Sequence, residues 1–275
     1  MTAPADPATA SAMAYVYAVS RAGAPLEPVL AGCQGLEGGP LRTVRAGDLA
    51  ALVSSVPAAS YGTEGVKAVM EDLGQLEVMA RTHHAVVAAA YEHATVLPMR
   101  LATVYLDDAR VRTMLGERRP EFGALLARLE GHVELGVKVY ADPRDASAAG
   151  GGGPDADAEP AAGPGRAYLQ RRRAQQRNHR DIYRAAGAVA AEVPLRVADI
   201  ARAHVSHRPQ QGDLVQGAGE NILNAAYLVR GSEVGAFRTV LTGLADDVPG
   251  VRVEITGPWA PYSFATPPAA AGGER

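Results

Sequence analysis

The side chains best suited to proton transfer or metal binding in this chain are its seven histidines. His83 and His84 fall inside a helical pattern, with His93 near its end. His84 shares an apolar face with Leu73, Ala80 and Val87, which predicts a buried imidazole hydrogen-bonded to backbone. His204 and His207 are three apart, the spacing of one helix face, but no Cys and no carboxylate accompanies them at a ligand-like offset. No metal is expected. A Gly-x-Ser-x-Gly nucleophile turn is absent. Gly150 to Gly153 lead into prolines and acids, not into a helix start with Lys-Ser/Thr, so they do not cradle phosphate. Gln216-Gly-Ala-Gly219 leads into a strand where a dinucleotide fingerprint leads out of one. The single Cys33, in a Gly-rich loop, excludes an intrachain disulfide and a multi-cysteine zinc site. These residues predict no enzyme and no cofactor.

Two other groupings carry physical chemistry. The first is an arginine-rich helix. Between Arg166 and Arg208 ten Arg stand against Asp181, Glu192 and Asp199, a local net of +7 in a chain whose net charge is −3. Arg173, Arg177, Arg180 and Arg184 share a helix face. Such a face is compatible with simple solvation, with docking to an acidic surface, or with nucleic-acid phosphates. The scarcity of interleaved aromatics counts against nucleic acid. The second grouping is the segment Gly257-Pro-Trp-Ala-Pro-Tyr-Ser-Phe264, which holds the only Trp of a chain with 5% aromatic residues. Its prolines stiffen it. Trp259 and Phe264 either cap the preceding strand or face a partner, since aromatic side chains are enriched where protein surfaces meet.

The elements that position these groups follow from periodicity. An apolar content of 47% over 275 residues is enough for two domains with buried cores. No signal peptide and no membrane span of about 18 apolar residues is present. Residues 1–13 and 266–275 read as disordered tails. Residues 141–165, with four glycines in a row and several prolines, read as a flexible linker. The N-terminal domain, 14–140, opens with strands over 14–20, 41–45 and 50–56. A long helix over 66–93 then presents Val66, Val69, Met70, Leu73, Ala80, Val87 and Tyr91 on one face. A strand over 95–105, a helix capped by Asp107, a break at Pro120 and an alternating strand over 133–139 complete it. This is the order of a modified ferredoxin-like α+β sandwich. The C-terminal domain, 166–265, is predicted as a helical hairpin (166–192 and 195–207, split at Pro194), a strand over 221–229, a helix capped by Ser232, and a last strand over 251–256 that stops at Gly257-Pro258.

Several blocks, in order, resemble one known family. Tyr15-Val-Tyr17 opens the chain. Val96-Leu-Pro-Met-Arg-Leu-Ala-Thr-Val104 is similar to that family's LPMRFGTV strand. Gly136-Val-Lys-Val-Tyr140, Ala167-Tyr-Leu-Gln-Arg-Arg-Arg173, Asn224-Ala-Ala-Tyr-Leu-Val229 and Gly257 to Phe264 follow. The chain resembles the gas vesicle protein F/L family over about 14–265. It departs at Leu101-Ala102, where the family usually has Phe-Gly, and at Ala260, where it usually has Pro.

The resemblance implies a two-domain α+β protein without enzymatic activity, cytoplasmic and associated with gas vesicles. It implies a chaperone-like assembly factor or minor vesicle component that binds the hydrophobic major shell protein, together with other gas vesicle accessory proteins. It does not distinguish an F-like from an L-like member. A subunit with an apolar face and open strand edges aggregates unless covered, and a strand edge or an apolar patch can cover it. The expected partner-binding residues are Pro98 and Arg100 at a sheet edge, with Trp259, Pro261, Tyr262 and Phe264 in the Pro/aromatic segment. Binding of nucleic acid through the Arg-rich helix is the alternative function.

Overall fold

The computed structural model describes residues 12–143, 164–209 and 219–266. The expected linker and both tails lie almost wholly outside these residues, as does most of the Gln216–Gly219 loop. The chain divides into two compact units, one of residues 1–133 and 259–275, the other of 134–258.

The first unit is built on an antiparallel sheet. β1 (Ala12–Arg21), β2 (Leu41–Ala46), β3 (Leu49–Pro57) and β4 (Val96–Pro98) lie in the order β2-β3-β1-β4, and the two-residue β5 (Val104–Tyr105) also pairs with β1. Ala14 to Ser20 are buried without a break, as expected of a central strand covered on both faces. Short helices α1 (Glu27–Gly32), α2 (Ala58–Tyr61) and α3 (Thr63–Glu71) precede the long α4 (Leu73–His93), followed by α5 (Asp108–Glu117) and α6 (Arg119–Leu129). α4 covers the face carrying Tyr15 and Tyr17, in one core with Leu36, Leu52, Val56 and Tyr61. α5 and α6 contact the same strands, but their buried Val111, Leu115, Phe122 and Leu126 stay outside that core and cover the opposite face.

The predicted single helix over 66–93 is two helices. The Asp72 side chain accepts the Gln75 N–H at 3.0 Å and caps a new start. That break resets the helical phase. Leu73 is left 81% exposed, and the buried stripe of α4 runs Met79, His83, Val86, Val87 and Ala90. His83 is therefore the buried histidine, and His84 is exposed, contrary to expectation. Asp107 caps α5 as predicted, accepting the Arg110 N–H at 2.8 Å.

The second unit has a four-stranded sheet in the order β7-β8-β6-β9, formed by β6 (His132–Ala141), β7 (Ala201–Ser206), β8 (Glu220–Arg230) and β9 (Val251–Trp259). β6 was expected to close the N-terminal sheet. It lies instead in the interior of this one, so the division of the chain does not fall in the Gly/Pro stretch: β6 precedes that stretch, and its neighbours β8 and β9 follow it. α7 (Pro164–Arg196) is continuous, with Pro194 inside its last turn, and α8 is Val234–Leu241. The predicted hairpin is corrected, because 201–206 is a strand. Ala201, Ala203 and Val205 are half-buried while Arg202, His204 and Ser206 are exposed, a period of two, and the ladder from Ala201–Val229 to Ser206–Ala225 outweighs the local helix preference of Ala and Arg. His204 and His207 thus share no helix face, and His204 stacks on its cross-strand partner Tyr227 at 6.0 Å. Ser232 lies in a 3-10 turn and does not cap α8, which begins at Val234 with Glu233 at the N-cap position and no side-chain cap bond. β9 continues through Gly257-Pro258 to Trp259, because it is an edge strand and a proline there forfeits no ladder bond to a further strand.

Candidate functional site

Opposite β1, the segment Val96–Tyr105 does not run straight. Met99 N–H donates to the Tyr17 carbonyl, and Val16 N–H donates to the Thr103 carbonyl. The chain between them is extruded as a turn, closed by Thr103 N–H to the Arg100 carbonyl at 3.2 Å and by Thr103 Oγ1 to the same oxygen at 2.6 Å. Ala102 takes the third position of that turn with φ of 61°. This is the place where a left-handed residue is required and where glycine carries no Cβ penalty. Exchange of Ala102 for Gly is expected to stabilise the protein by about 1 kcal/mol and to raise Tm by about 2–4 °C in a thermal melt.

The extruded turn forms one wall of a groove of about 670 Å³. Leu97, Pro98, Met99 and Arg100 line that side with Thr103 and Tyr105; Arg118 and Phe122 come from the junction of α5 and α6; Tyr262, Ser263, Ala265 and Thr266 close it. Phe122 is buried, and the Arg118 guanidinium lies 4.4 Å from its ring centroid. Arg118 is held there by a two-pronged bond to Glu121, at 2.9 and 2.6 Å. The lining contains no His, Cys, Asp or Glu. It offers apolar walls, hydroxyls and arginine along a strand edge, a surface suited to holding a polypeptide segment. Among the described residues no group of His, Cys, Asp or Glu is arranged to hold a metal ion.

Behind the groove lies a buried aromatic cluster. The Tyr15 hydroxyl accepts the Ala102 N–H at 3.1 Å and meets His83 Nδ1 at 2.9 Å. Because the Tyr15 oxygen already accepts the Ala102 N–H, its own proton goes to Nδ1 of a neutral imidazole. Burial holds His83 down to about 4, with the Met99 carbonyl opposing that shift and neighbouring His84 adding to it. Burial also pushes the Tyr15 and Tyr17 phenols up. Tyr17 Oη accepts the Leu36 N–H and bonds Ser54 Oγ, both at 2.8 Å. Gly35 lies against that pair so closely that a Cβ there would fall 2.6 Å from both oxygens. Tyr262 joins the cluster from the C-terminal segment, with its ring centroid 6.3 Å from His83 and 6.0 Å from His84.

Of the residues singled out in the sequence, Pro98, Arg100 and Tyr262 meet in the groove. Arg100 is exposed and Pro98 is buried in the wall, on the edge strand that its missing N–H suggests. Pro261 and Phe264 are buried and anchor the segment to the first unit. Trp259 stays 45% exposed, edge-on to His84 at 5.6 Å. Tyr105, Arg118, Phe122 and Ser263 were not anticipated. Tyr105 directly follows the Val96–Val104 block and Ser263 lies inside the Pro/aromatic segment, whereas nothing local marks Arg118.

Residues 13–266 match the family model described as "Gas vesicle synthesis protein GvpL/GvpF". The chain is 42% identical to gas vesicle protein L of Streptomyces sp. (strain CB03234) over 256 residues, covering 91% of this chain and 92% of that protein. It is 28% identical to gas vesicle protein F of the same organism, covering 91% of this chain and 98% of that one. Its fold is similar to the crystal structure of GvpF from Anabaena sp. PCC7120, with a TM-score of 0.65, 18% identity, and coverage of 96% of this chain and all of the other. The GvpF structure from Microcystis aeruginosa is similar at a TM-score of 0.60 and 18% identity, over 92% of this chain and 99% of that one. With a family model spanning nearly its whole length and a relative above 40% identity, the chain belongs to the gas vesicle GvpL/GvpF family.

Proposed function

We propose that this protein is a non-enzymatic assembly factor of gas vesicles that holds the apolar shell subunit before it is incorporated. The observation that carries the reading is the groove along the β4–β5 edge, where an interrupted edge strand, arginine and aromatic side chains converge. An edge strand provides unpaired backbone groups for an added strand, and the apolar walls accept alternate side chains. In this reading Trp259, left accessible beside the groove-lining Tyr262, extends the contact. The first unit acts as a ferredoxin-like sandwich, a reading supported by its strand order β2-β3-β1-β4 with α4 between β3 and β4. No helix among the described residues is long and apolar enough to cross a membrane, which is compatible with work in the cytoplasm on the growing vesicle and its accessory proteins.

The test is co-expression with the shell subunit followed by affinity capture. Wild-type protein is expected to retain the subunit in soluble form. Trp259→Ala and Met99→Glu are each expected to lower the captured subunit by about fivefold or more, the effect of losing one anchoring contact worth about 1 kcal/mol, with unchanged Tm. If the wild type captures no subunit, the function is wrong. If Trp259→Ala lowers Tm and leaves capture intact, that residue is a structural cap.

A further inference from the structure

Among its described side chains, α7 buries only those of its C-terminal half. Ile182, Ala186, Val189 and Val193 are buried, and the helix packs on β8 and α8. Toward its N-terminus every described side chain from Gln170 to Asp181 is exposed. Over this stretch the described side chains offer no apolar packing face, and a helix of that kind is held by bridging contacts or by its own i,i+4 pairs. Its charge is uncompensated as well. Arg184 pairs with Asp181 at 3.0 Å and Arg196 with Glu192 at 2.6 Å. Among the described residues Arg172, Arg173, Arg177 and Arg180 form no ion pair.

We propose that this half of α7 is a docking strip for an acidic helix of a partner protein. Arg173, Arg177, Arg180 and Arg184 recur at intervals of four and three, so they form one stripe about 16 Å long. A helix laid alongside with Glu or Asp at the same intervals meets the guanidinia of Arg173, Arg177 and Arg180 in turn, with Arg184, already beside Asp181, at its end, and the exposed Gln175 and Gln176 add amide donors and acceptors near the stripe. Carboxylates are favoured over phosphates by what borders the strip. His179 and Tyr183, the two rings among the strip's described residues, pack on each other at 4.7 Å, and the Tyr183 hydroxyl donates to Glu220, so the strip does not interleave its arginines with a row of aromatic platforms for bases. The strip lies in the second unit and shares no residue with the groove, so the inference stands without the proposed function.

The experiment uses the full chain and two labelled synthetic helices of one composition. One carries Glu at alternating intervals of four and three, the other carries the same Glu scrambled, and a duplex DNA serves as a third probe. Fluorescence anisotropy at low salt is expected to show the patterned helix binding about tenfold more tightly than the scrambled one, with that affinity falling as salt rises. The triple exchange Arg173→Glu, Arg177→Glu and Arg180→Glu is expected to abolish binding without changing the thermal melt, and the milder triple exchange to Gln to weaken it. The proposal is overturned by absence of binding at low salt, by equal affinity for the scrambled helix, by survival of binding in the Glu variant, or by tighter binding of DNA, which would make the strip a phosphate site.

Discussion

Phe122→Ala is expected to cost about 4 kcal/mol, the usual penalty for emptying a buried aromatic site, and to lower Tm by about 10 °C. Phe122 is 1% exposed, on the second turn of α6, where it packs against the sheet and floors the groove. Two terms add. The ring's burial is lost and a cavity is left, because α6 is tied to the sheet by Leu125, Leu126 and Leu129 and cannot collapse freely. The Arg118 guanidinium also loses the ring beneath it. Phe122→Leu, which retains much of the volume, is expected to cost about 1–1.5 kcal/mol. Urea unfolding followed by circular dichroism measures both. A loss below about 1 kcal/mol for the alanine variant would mean that the ring does not carry the groove floor.

Acid is expected to remove up to about 3 kcal/mol through His83 alone. Its imidazole is 3% exposed, and burial lowers its proton affinity from the ordinary 6.5 to about 4. Above 6.5 the ring is neutral in both states and its contribution is intact. As pH falls from 6.5 to 4 the unfolded chain takes up a proton that the folded chain refuses, so stability drops by about 1.4 kcal/mol per pH unit across that window. Below it both states are protonated and the loss levels off. The paired carboxylates act lower. Asp108 beside Arg42 and Glu121 beside Arg118 are held below their ordinary values, so what they contribute is lost only as pH falls through that lower range. Melts of wild type and His83→Gln at steps from pH 7 to pH 4 separate the two, because the carboxylate terms cancel in the difference. Parallel curves for the two proteins would show that His83 is not held neutral.

How far the molecule was legible depends on the distance over which each signal acts. The cap at Asp107 acts within one turn and was read correctly, as was the alternating face of β6. Asp72 is as local a signal, but a continuous apolar pattern on both sides hid it. Missing it shifted the assigned face of α4 and exchanged His83 with His84. The segment Ala201–Ser206 was misread because Ala and Arg suit a helix, and only its pairing with β8 makes it a strand.

The sequence by itself determined the family, through ordered blocks from Tyr15 to Phe264, and with it the kind of protein this is. It also determined that arginine gathers on one helix and aromatic residues at one end, since composition and the helical repeat are local properties. Only the tertiary structure decided that β6 leaves the first sheet for the second, that Phe264 is buried while Trp259 is not, and that residues near 98, 120 and 263 close around one groove. Those outcomes depend on which strand wins a pairing and which side chain wins a place in the core. That competition is settled between residues tens of positions apart or more, beyond the reach of any local pattern.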